Sequence, residues 1–291
     1  MGYLRGLADL PRNPPVTTGA VFLCIALFLL ANHNLQFGPQ QALESVGWRG
    51  ADVIWHGQWW PLLTSAVIHL ELWHVAFNIY WLWILGGRLE LRLGSLRYLA
   101  FTVAAAFVTS SLQLAVSGQT GIGYSGINYA IFGLMWQARA SDPEFQRALP
   151  LRTRQLFILW MFGCLFMTFI GAVDIANTAH FSGLIFGCLA APVLTKSKLK
   201  PLCIAGLCLS VVISVASLCW APWNAYWLAD RGYHAHLNEQ YVRAINYYDA
   251  ALKLDRHLPG IAENRALALQ TLEAQRQNER AQRIAPDAPT E

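Results

Sequence analysis

The sequence predicts an all-α polytopic membrane protein, and three observations carry that prediction. Of the 291 residues, 55% are hydrophobic and only 13% are charged, whereas soluble domains carry about 25% charged residues. Long stretches before about residue 220 contain almost no charge. Lysine and arginine cluster in alternate connections between the apolar runs, as they do in the cytoplasmic loops of membrane proteins.

Seven apolar runs have roughly the length of a membrane-spanning helix, about 17–25 residues. The first is short for a span, but Pro14 and Pro15 suit the start of a helix there. No small-residue cleavage site clearly follows it, so we interpret it as an anchor and not as a removed signal peptide. The seven predicted spans are residues 15–32, 72–87, 98–117, 121–138, 155–173, 178–195 and 201–220.

The basic residues predict the orientation of these spans. One group precedes the first span, and three others separate spans two and three, four and five, and six and seven. The four groups are Arg5 and Arg12; Arg88, Arg92 and Arg97; Arg139, Arg147, Arg152 and Arg154; and Lys196, Lys198 and Lys200. The positive-inside rule then predicts a cytoplasmic N-terminus, and an odd number of spans predicts an extracytoplasmic C-terminal tail. This bias accounts for most of the net charge of +4, so no nucleic-acid partner is needed.

The connection between the first two spans, about residues 33–70, is rich in tryptophan and mixes apolar with polar residues. Its tryptophans are Trp48, Trp55, Trp59 and Trp60. We expect this segment to lie in the membrane interface, as amphipathic segments do. An ordinary extracytoplasmic loop is the alternative.

Three of the predicted spans carry polar side chains that point to catalysis. Ser125 lies in the run Gly123-Tyr124-Ser125-Gly126, His180 lies two spans later, and His74 and Asn78 lie on span two. Ionisable groups at membrane depth are expensive to keep and are functional by default. The predicted topology places all of them towards the same side of the membrane, and random polar substitutions would not be expected to agree on depth.

The predicted chemistry is nucleophilic attack by an activated serine. Serine is a weak nucleophile until a base takes its proton, and histidine is the usual base. Asp174 lies six residues before His180, and no carboxylate is obviously placed to orient the imidazole. We therefore favour a Ser125–His180 dyad over a triad. Tyr129, four residues after Ser125 on the same helix face, is a candidate to pack against the imidazole.

Donors for an oxyanion are available on span two. His74 and Asn78 lie four residues apart and so share a helix face, and both side chains carry N–H groups. The backbone N–H of Ser125 is a third candidate donor, and such preorganised donors stabilise the tetrahedral intermediate of acyl transfer.

Small residues around the two candidate catalytic side chains predict close helix packing. Gly123 and Gly126 flank Ser125 and allow close backbone approach. Gly183 and Gly187 make a small-xxx-small surface on the His180 face. Each feature alone has a purely structural interpretation, and only their joint occurrence at one depth carries the catalytic hypothesis.

The whole set resembles the rhomboid family of intramembrane serine proteases. The matching residues are His69, His74 and Asn78 in the spacing H-x4-H-x3-N; Gly123-Tyr124-Ser125-Gly126 with Tyr129; Ala179-His180 with Gly183 and Gly187; and Gly86-Gly87-Arg88-Leu89-Glu90 followed by Arg92-Leu93-Gly94. The resemblance covers about residues 15–195 and implies a six-helix rhomboid-like core. One departure is Trp60-Pro61, where the family often has Trp-Arg.

The resemblance implies hydrolysis of a peptide bond in or beside the transmembrane helix of a substrate membrane protein. It implies Ser125 as nucleophile, His180 as general base and acid, and His74, Asn78 and the Ser125 backbone as the oxyanion hole. Glu90 would be a structural glutamate, and no metal or cofactor is implied.

The C-terminal tail has a different composition. Gly232, Tyr241, Ala244, Tyr248, Ala251 and Leu254-Asp255 resemble one tetratricopeptide repeat. Because about three repeats are needed for stability, the tail either docks on a partner, another copy or the membrane surface, or is a solvated helical extension. The predicted divisions are residues 1–14, a cytoplasmic segment; 15–195, the catalytic core; 196–227, a linker and seventh span; 228–284, the tail; and 285–291, a disordered end.

Two other interpretations compete with an intramembrane protease. The first is a catalytically inactive rhomboid-like protein that binds membrane clients, which the presence of both Ser125 and His180 argues against. The second is a transporter or channel, which would need polar residues along a pathway and not at one end of the spans. The size and layout are consistent with a bacterial inner (plasma) membrane protein.

Overall fold

The chain folds into helices joined by short connections. The computed structural model describes residues 14–194 and 198–284. Most of the predicted cytoplasmic segment, Lys196 and the predicted disordered end lie outside the described residues. Every regular element within the described ranges is helical, which confirms the predicted all-α fold class.

Ten helices of ten or more residues, together with one π-helical turn, form most of the described residues. Their bounds are Pro15–Asn34, Leu72–Trp81 (continued by the π-helical turn Leu82–Gly86 and by Gly87–Leu93), Ser95–Ser117, Ser125–Ala138, Leu151–Phe169, Asn177–Leu194, Lys200–Cys219, Ala225–Leu237 and Tyr241–Leu254, followed by Ile261–Ile284. We call Ser125–Ala138 the serine helix, Asn177–Leu194 the histidine helix and Leu72–Leu93 the Asn78 helix.

Seven of these ten helices precede Trp220 and three follow it. Short helices at Pro39–Ser45, Ala51–Trp55 and Pro61–Thr64, with single 3-10 turns at Leu35–Phe37 and Ser65–Val67, fill the tryptophan-rich connection. A further short helix, Pro143–Ala148, follows the serine helix.

Several helices begin or end away from the predicted span boundaries, for local reasons. The serine helix begins at Ser125 and not at residue 121, because Gly121 and Gly123 have φ angles of +69° and +107° that no helix contains. The Leu151–Phe169 helix begins before the predicted residue 155, since Pro150 precedes its first turn and the charged first turn is still helical. The Asn78 helix continues beyond residue 87 to Leu93.

Three helices of the described residues are long and apolar enough to cross a membrane by themselves: Pro15–Phe37, counted with its 3-10 turn, Ser95–Ser117 and Lys200–Cys219. A fourth candidate is the pair Pro61–Val67 and Leu72–Leu93, which is bent by 96°. The serine helix has only 14 residues, about 21 Å at 1.5 Å per residue. The predicted total of seven spans therefore stays a prediction.

The serine helix lies at the buried centre of the described helices that precede Trp220. Eleven of its fourteen residues are buried, as expected for a helix that is apolar on all sides. It packs against the histidine helix through glycines. A methyl group added to Gly183 would overlap the carbonyl oxygen of Gly126, and one added to Gly187 would overlap that of Ala130. The backbones of the two helices therefore lie in direct contact, as at small-residue interfaces of membrane helices.

Glu90 ties three helices together at the opposite end of the Asn78 helix from His74. Its carboxylate accepts hydrogen bonds from the N–H groups of Val16 and Thr17 at 2.9 and 2.7 Å, and from the Ser95 hydroxyl at 2.7 Å. The first turn of a helix has N–H groups without partners in that helix, so Glu90 caps the Pro15–Asn34 helix from a distant part of the chain. It follows His74 by sixteen residues, about 24 Å of helix.

The chain divides into two compact units, Met1–Cys219 and Trp220–Glu291. In the second unit, Ala225–Leu237 and Tyr241–Leu254 form an antiparallel hairpin that Ile261–Ile284 extends. Tyr248 is fully buried, and its ring lies where a side chain on Gly232 would be, so only glycine fits there. The assignment of this unit as a tetratricopeptide repeat stays a prediction.

Candidate active site

Ser125 and His180 meet at the N-terminal ends of their two helices. The Ser125 Oγ lies 2.8 Å from Nε2 of His180, a normal hydrogen-bond distance. Ser125 is the first residue of the serine helix, and His180 is in the first turn of the histidine helix. His180 is 3% exposed, whereas Ser125 is half-buried. The arrangement supplies a hydroxyl with a base already in contact with it.

The backbone before Ser125 can take its observed path only with glycine at position 123. Gly123 has a φ of +107°, and a methyl group there would come within 2.6 Å of the His74 ring. Its N–H donates to the carbonyl oxygen of Ser65 at 3.0 Å. The segment that contains Ser65 thus runs alongside the turn that leads into the serine helix.

The side chain of His69 stabilises the same turn before Ser125. Its Nε2 accepts a hydrogen bond of 3.2 Å from the N–H of Tyr124, and its ring packs edge-on against that of His74, with centroids 4.9 Å apart. His69 is fully buried. The imidazole thus fixes the backbone immediately before Ser125 and does not contact the Ser125 hydroxyl through a hydrogen bond.

Tyr129 packs against the imidazole of His180, as the sequence predicts. The ring centroids lie 4.8 Å apart with an interplanar angle of 35°. The Tyr129 hydroxyl donates to the carbonyl oxygen of Phe157 at 3.0 Å, which fixes the ring. Nδ1 of His180 is buried and has no hydrogen-bond partner within residues 14–194 and 198–284. Asp174 is exposed, and within the described residues the imidazole is oriented by its packing against Tyr129.

The predicted oxyanion donors lie on the Asn78 helix beside the same turn. The His74 ring contacts Gly123, and Asn78, one helical turn further on, is 1% exposed. Nδ2 of Asn78 donates to the carbonyl oxygen of His74 at 3.1 Å. The N–H of Ser125 belongs to the first turn of a helix, where backbone donors have no partner within the helix. Three helix N-termini converge here, and their dipoles favour negative charge.

The role of Gly126, Gly183 and Gly187 is steric, because the absence of a side chain lets the neighbouring helices pack closely. A methyl group on Gly126 would press on Thr109 at 3.0 Å and on Ala179 at 3.4 Å. Gly126 is thus enclosed by the Ser95–Ser117 helix on one side and the histidine helix on the other. Glu90, the remaining predicted supporting residue, lies away from the Ser125–His180 pair and acts at the far end of the fold.

Two residues of this region were not predicted from the sequence. Asn128 donates from Nδ2 to both the backbone and the side-chain oxygen of Asn78, at 3.0 Å each. Gln113 accepts a 3.1 Å hydrogen bond from the N–H of Ala179, next to His180. Each is an amide within an apolar run, and that polarity was the signal available in the sequence.

Ser125 lies between two small cavities of different character. One is lined mainly by small residues and carries the hydroxyl groups of Thr109, Ser110 and Thr120 beside that of Ser125. The other is lined by aromatic residues that include Phe77, Trp81 and Trp160. The first suits water and the second suits an apolar side chain.

Comparison with known proteins finds a match to the rhomboid domain over residues 56–197. Relatives named rhomboid protease GlpG from Yersinia pseudotuberculosis, Yersinia pestis and Serratia proteamaculans are each 34% identical over 189 residues. Each alignment covers 65% of this chain and 65% of the relative. The chain thus matches a little under two thirds of the length of these proteins.

Proposed function

This chain belongs to the rhomboid family and is an integral membrane protein, and we propose that it is an intramembrane serine endopeptidase that cleaves transmembrane segments of other membrane proteins. The observation that carries the proposal is the 2.8 Å contact between Ser125 Oγ and His180 Nε2. Together with the nearby donors for an oxyanion, this pair has the parts that acyl transfer needs.

In the first half of the proposed reaction, Ser125 Oγ attacks the carbonyl carbon of the scissile peptide while His180 Nε2 takes the hydroxyl proton. The carbonyl oxygen becomes an oxyanion, which the Ser125 N–H and the side chains of His74 and Asn78 stabilise. The intermediate collapses, the carbon–nitrogen bond breaks, and His180 gives its proton to the leaving amine. Ser125 is left as an ester.

In the second half, water attacks the ester carbonyl and gives a proton to His180. Collapse of the second tetrahedral intermediate releases the carboxylic acid, and His180 returns the proton to Ser125 Oγ. The cavity beside Ser125 that carries the hydroxyl groups of Thr109, Ser110 and Thr120 suits the water for this step. The aromatic cavity suits an apolar side chain next to the scissile bond. No metal or cofactor enters the scheme.

The alternative, an inactive rhomboid-like protein that binds membrane clients, keeps the same fold without the chemistry. The contact between Ser125 and His180 favours the enzyme, because a client-binding protein needs neither group at that distance. The proposed setting is a bacterial inner membrane with the N-terminus in the cytoplasm and the tail outside it. The proposed partners are membrane-protein substrates with a transmembrane helix, the bilayer and, through the tail, a protein partner or a second copy.

The test uses wild-type protein in liposomes with a fluorescent single-span substrate. We expect cleavage within or beside the substrate's span, and we expect prior treatment with a fluorophosphonate to stop it. Intact-mass and peptide mass spectrometry should place one adduct on Ser125. Protein-free liposomes with the same substrate are the control. Absence of cleavage by well-folded protein, or an adduct on another residue, would contradict the proposal.

The tail is expected to be dispensable for basal cleavage. Because Trp220–Glu291 forms a compact unit by itself, a chain that ends after Trp223 should retain activity within about twofold of the full chain. The measurement is cleavage of the same substrate at equal amounts of liposome-inserted protein. Loss of all activity, with the melting temperature unchanged, would instead make the tail part of the catalytic machinery.

A further inference from the structure

A second asparagine lies behind the proposed oxyanion donor. Asn128 is on the serine helix, three residues after Ser125, and is 4% exposed. Its Nδ2 donates to the backbone oxygen of Asn78 and to Oδ1 of Asn78, both at 3.0 Å. These bonds join the helix that carries the proposed nucleophile to the helix that carries the proposed oxyanion donor.

The hydrogen bonds fix which way both amides face. A backbone carbonyl only accepts hydrogen bonds. The contact with the backbone oxygen of Asn78 therefore requires the NH₂ group of Asn128 to face that helix. On the Asn78 side chain, the bond to the carbonyl oxygen of His74 likewise requires NH₂ at that position. Oδ1 of Asn78 then faces Asn128 and receives the second bond.

We infer that Asn128 is a positioning residue that orients the Asn78 amide for oxyanion binding, an inference that rests on the proposed function. An NH₂ group has two N–H donors. Among the described residues, Asn78 Nδ2 gives one of them to His74. With Oδ1 held by Asn128, the amide cannot rotate to place its oxygen towards the developing negative charge, and the second N–H stays directed to the active site.

The position of Asn128 gives independent support. Its own Oδ1 is buried and has no hydrogen-bond partner in the described part of the chain. A buried polar atom without a partner is unfavourable, and an aliphatic residue at this position of an apolar helix would avoid it. The two bonds to Asn78 are the compensation that the structure offers.

The test replaces Asn128 by leucine, whose side chain has the same number of heavy atoms and the same branch at Cγ but no donor. We expect kcat for cleavage of the single-span substrate in liposomes to fall about tenfold with KM nearly unchanged. Complete loss of an oxyanion donor typically costs about 10²–10³ in rate, and a misoriented one loses part of that. Ser111→Ala is the matched control, because Ser111 is fully buried and its hydroxyl donates to the carbonyl oxygen of Phe107 on its own helix.

A double-mutant cycle separates positioning from a general structural role. If Asn128 acts through Asn78, Asn128→Leu should have little further effect on kcat in an Asn78→Ala background, since interacting residues are not additive. The inference would be overturned if the two substitutions lowered kcat by independent factors that multiply in the double variant, or if Asn128→Leu alone left kcat unchanged. Ser125-dependent cleavage by the wild type would leave the proposed function intact in either case. Failure of the wild type to cleave at all would instead overturn the proposed function.

Melting temperature and fluorophosphonate labelling accompany each variant. Should Asn128→Leu fail to fold, Asn128→Ala removes the same donor with a smaller side chain and is read in the same cycle. If both fail to fold, Asn128 is required for the fold and the inference of a positioning role is overturned.

Discussion

Replacing either Ser125 or His180 by alanine is expected to lower kcat for cleavage at least about 10³-fold, because the nucleophile and its base act as one unit. Alanine at position 125 removes the atom that forms the acyl-enzyme. Alanine at position 180 leaves the hydroxyl without the base that lies 2.8 Å from it. The double variant should be no slower than either single variant, since each already removes the whole function of the pair.

Ser182→Ala is the matched control for this prediction. Ser182 is on the histidine helix two residues after His180, and its hydroxyl bonds to the backbone oxygen of Ala179 at 3.3 Å. Its removal should change kcat by less than about twofold, and all variants should keep the wild-type melting temperature. Activity retained in a folded Ser125→Ala variant would refute the assignment of the nucleophile.

The close approach of Ser125, His180 and Tyr129 agrees with what their sequence pattern predicts. Polar groups are rare in apolar helices. Few arrangements of the helices therefore bring a serine, a histidine and a tyrosine at matching depth into contact. The contacts of Asn128 and Gln113 could not be predicted from the sequence. The partners of these two side chains are oxygen and nitrogen atoms of neighbouring helices. The spacing of residues within one helix does not reveal which other helix packs against it.

The helix boundaries illustrate a second limit of the sequence. Hydrophobicity alone extends the serine helix back to residue 121, but two glycines with positive φ turn the chain before Ser125. The opposite error occurs at Leu151–Phe169, where hydrophobicity excludes Arg152 and Arg154 although both residues are helical. Hydrophobicity measures what lipid accepts, whereas helix ends depend on backbone angles and on caps such as the one that Glu90 gives to Val16 and Thr17.

Replacing Gly187 by alanine is expected to destabilise the protein and abolish activity together. The added methyl group would overlap the carbonyl oxygen of Ala130 and press on the backbone nitrogen of Leu134, neither of which can move without the whole serine helix. Overpacking of this kind typically costs about 1–3 kcal/mol, and more where backbone must shift. The two helices would be forced apart, and with them Ser125 and His180.

Gly163→Ala separates this packing effect from the general effect of a glycine-to-alanine change. Gly163 is within the Leu151–Phe169 helix, and apart from the adjacent backbone of that helix no group of the described residues lies within 4 Å of the site of its added methyl group. Because alanine favours helix over glycine by about 1 kcal/mol, this variant should melt at or above the wild-type temperature and label fully with fluorophosphonate. Gly187→Ala should melt lower and label poorly even at temperatures where it remains helical. Equal labelling of the two variants would mean that contact between the serine and histidine helices does not set the distance from Ser125 to His180.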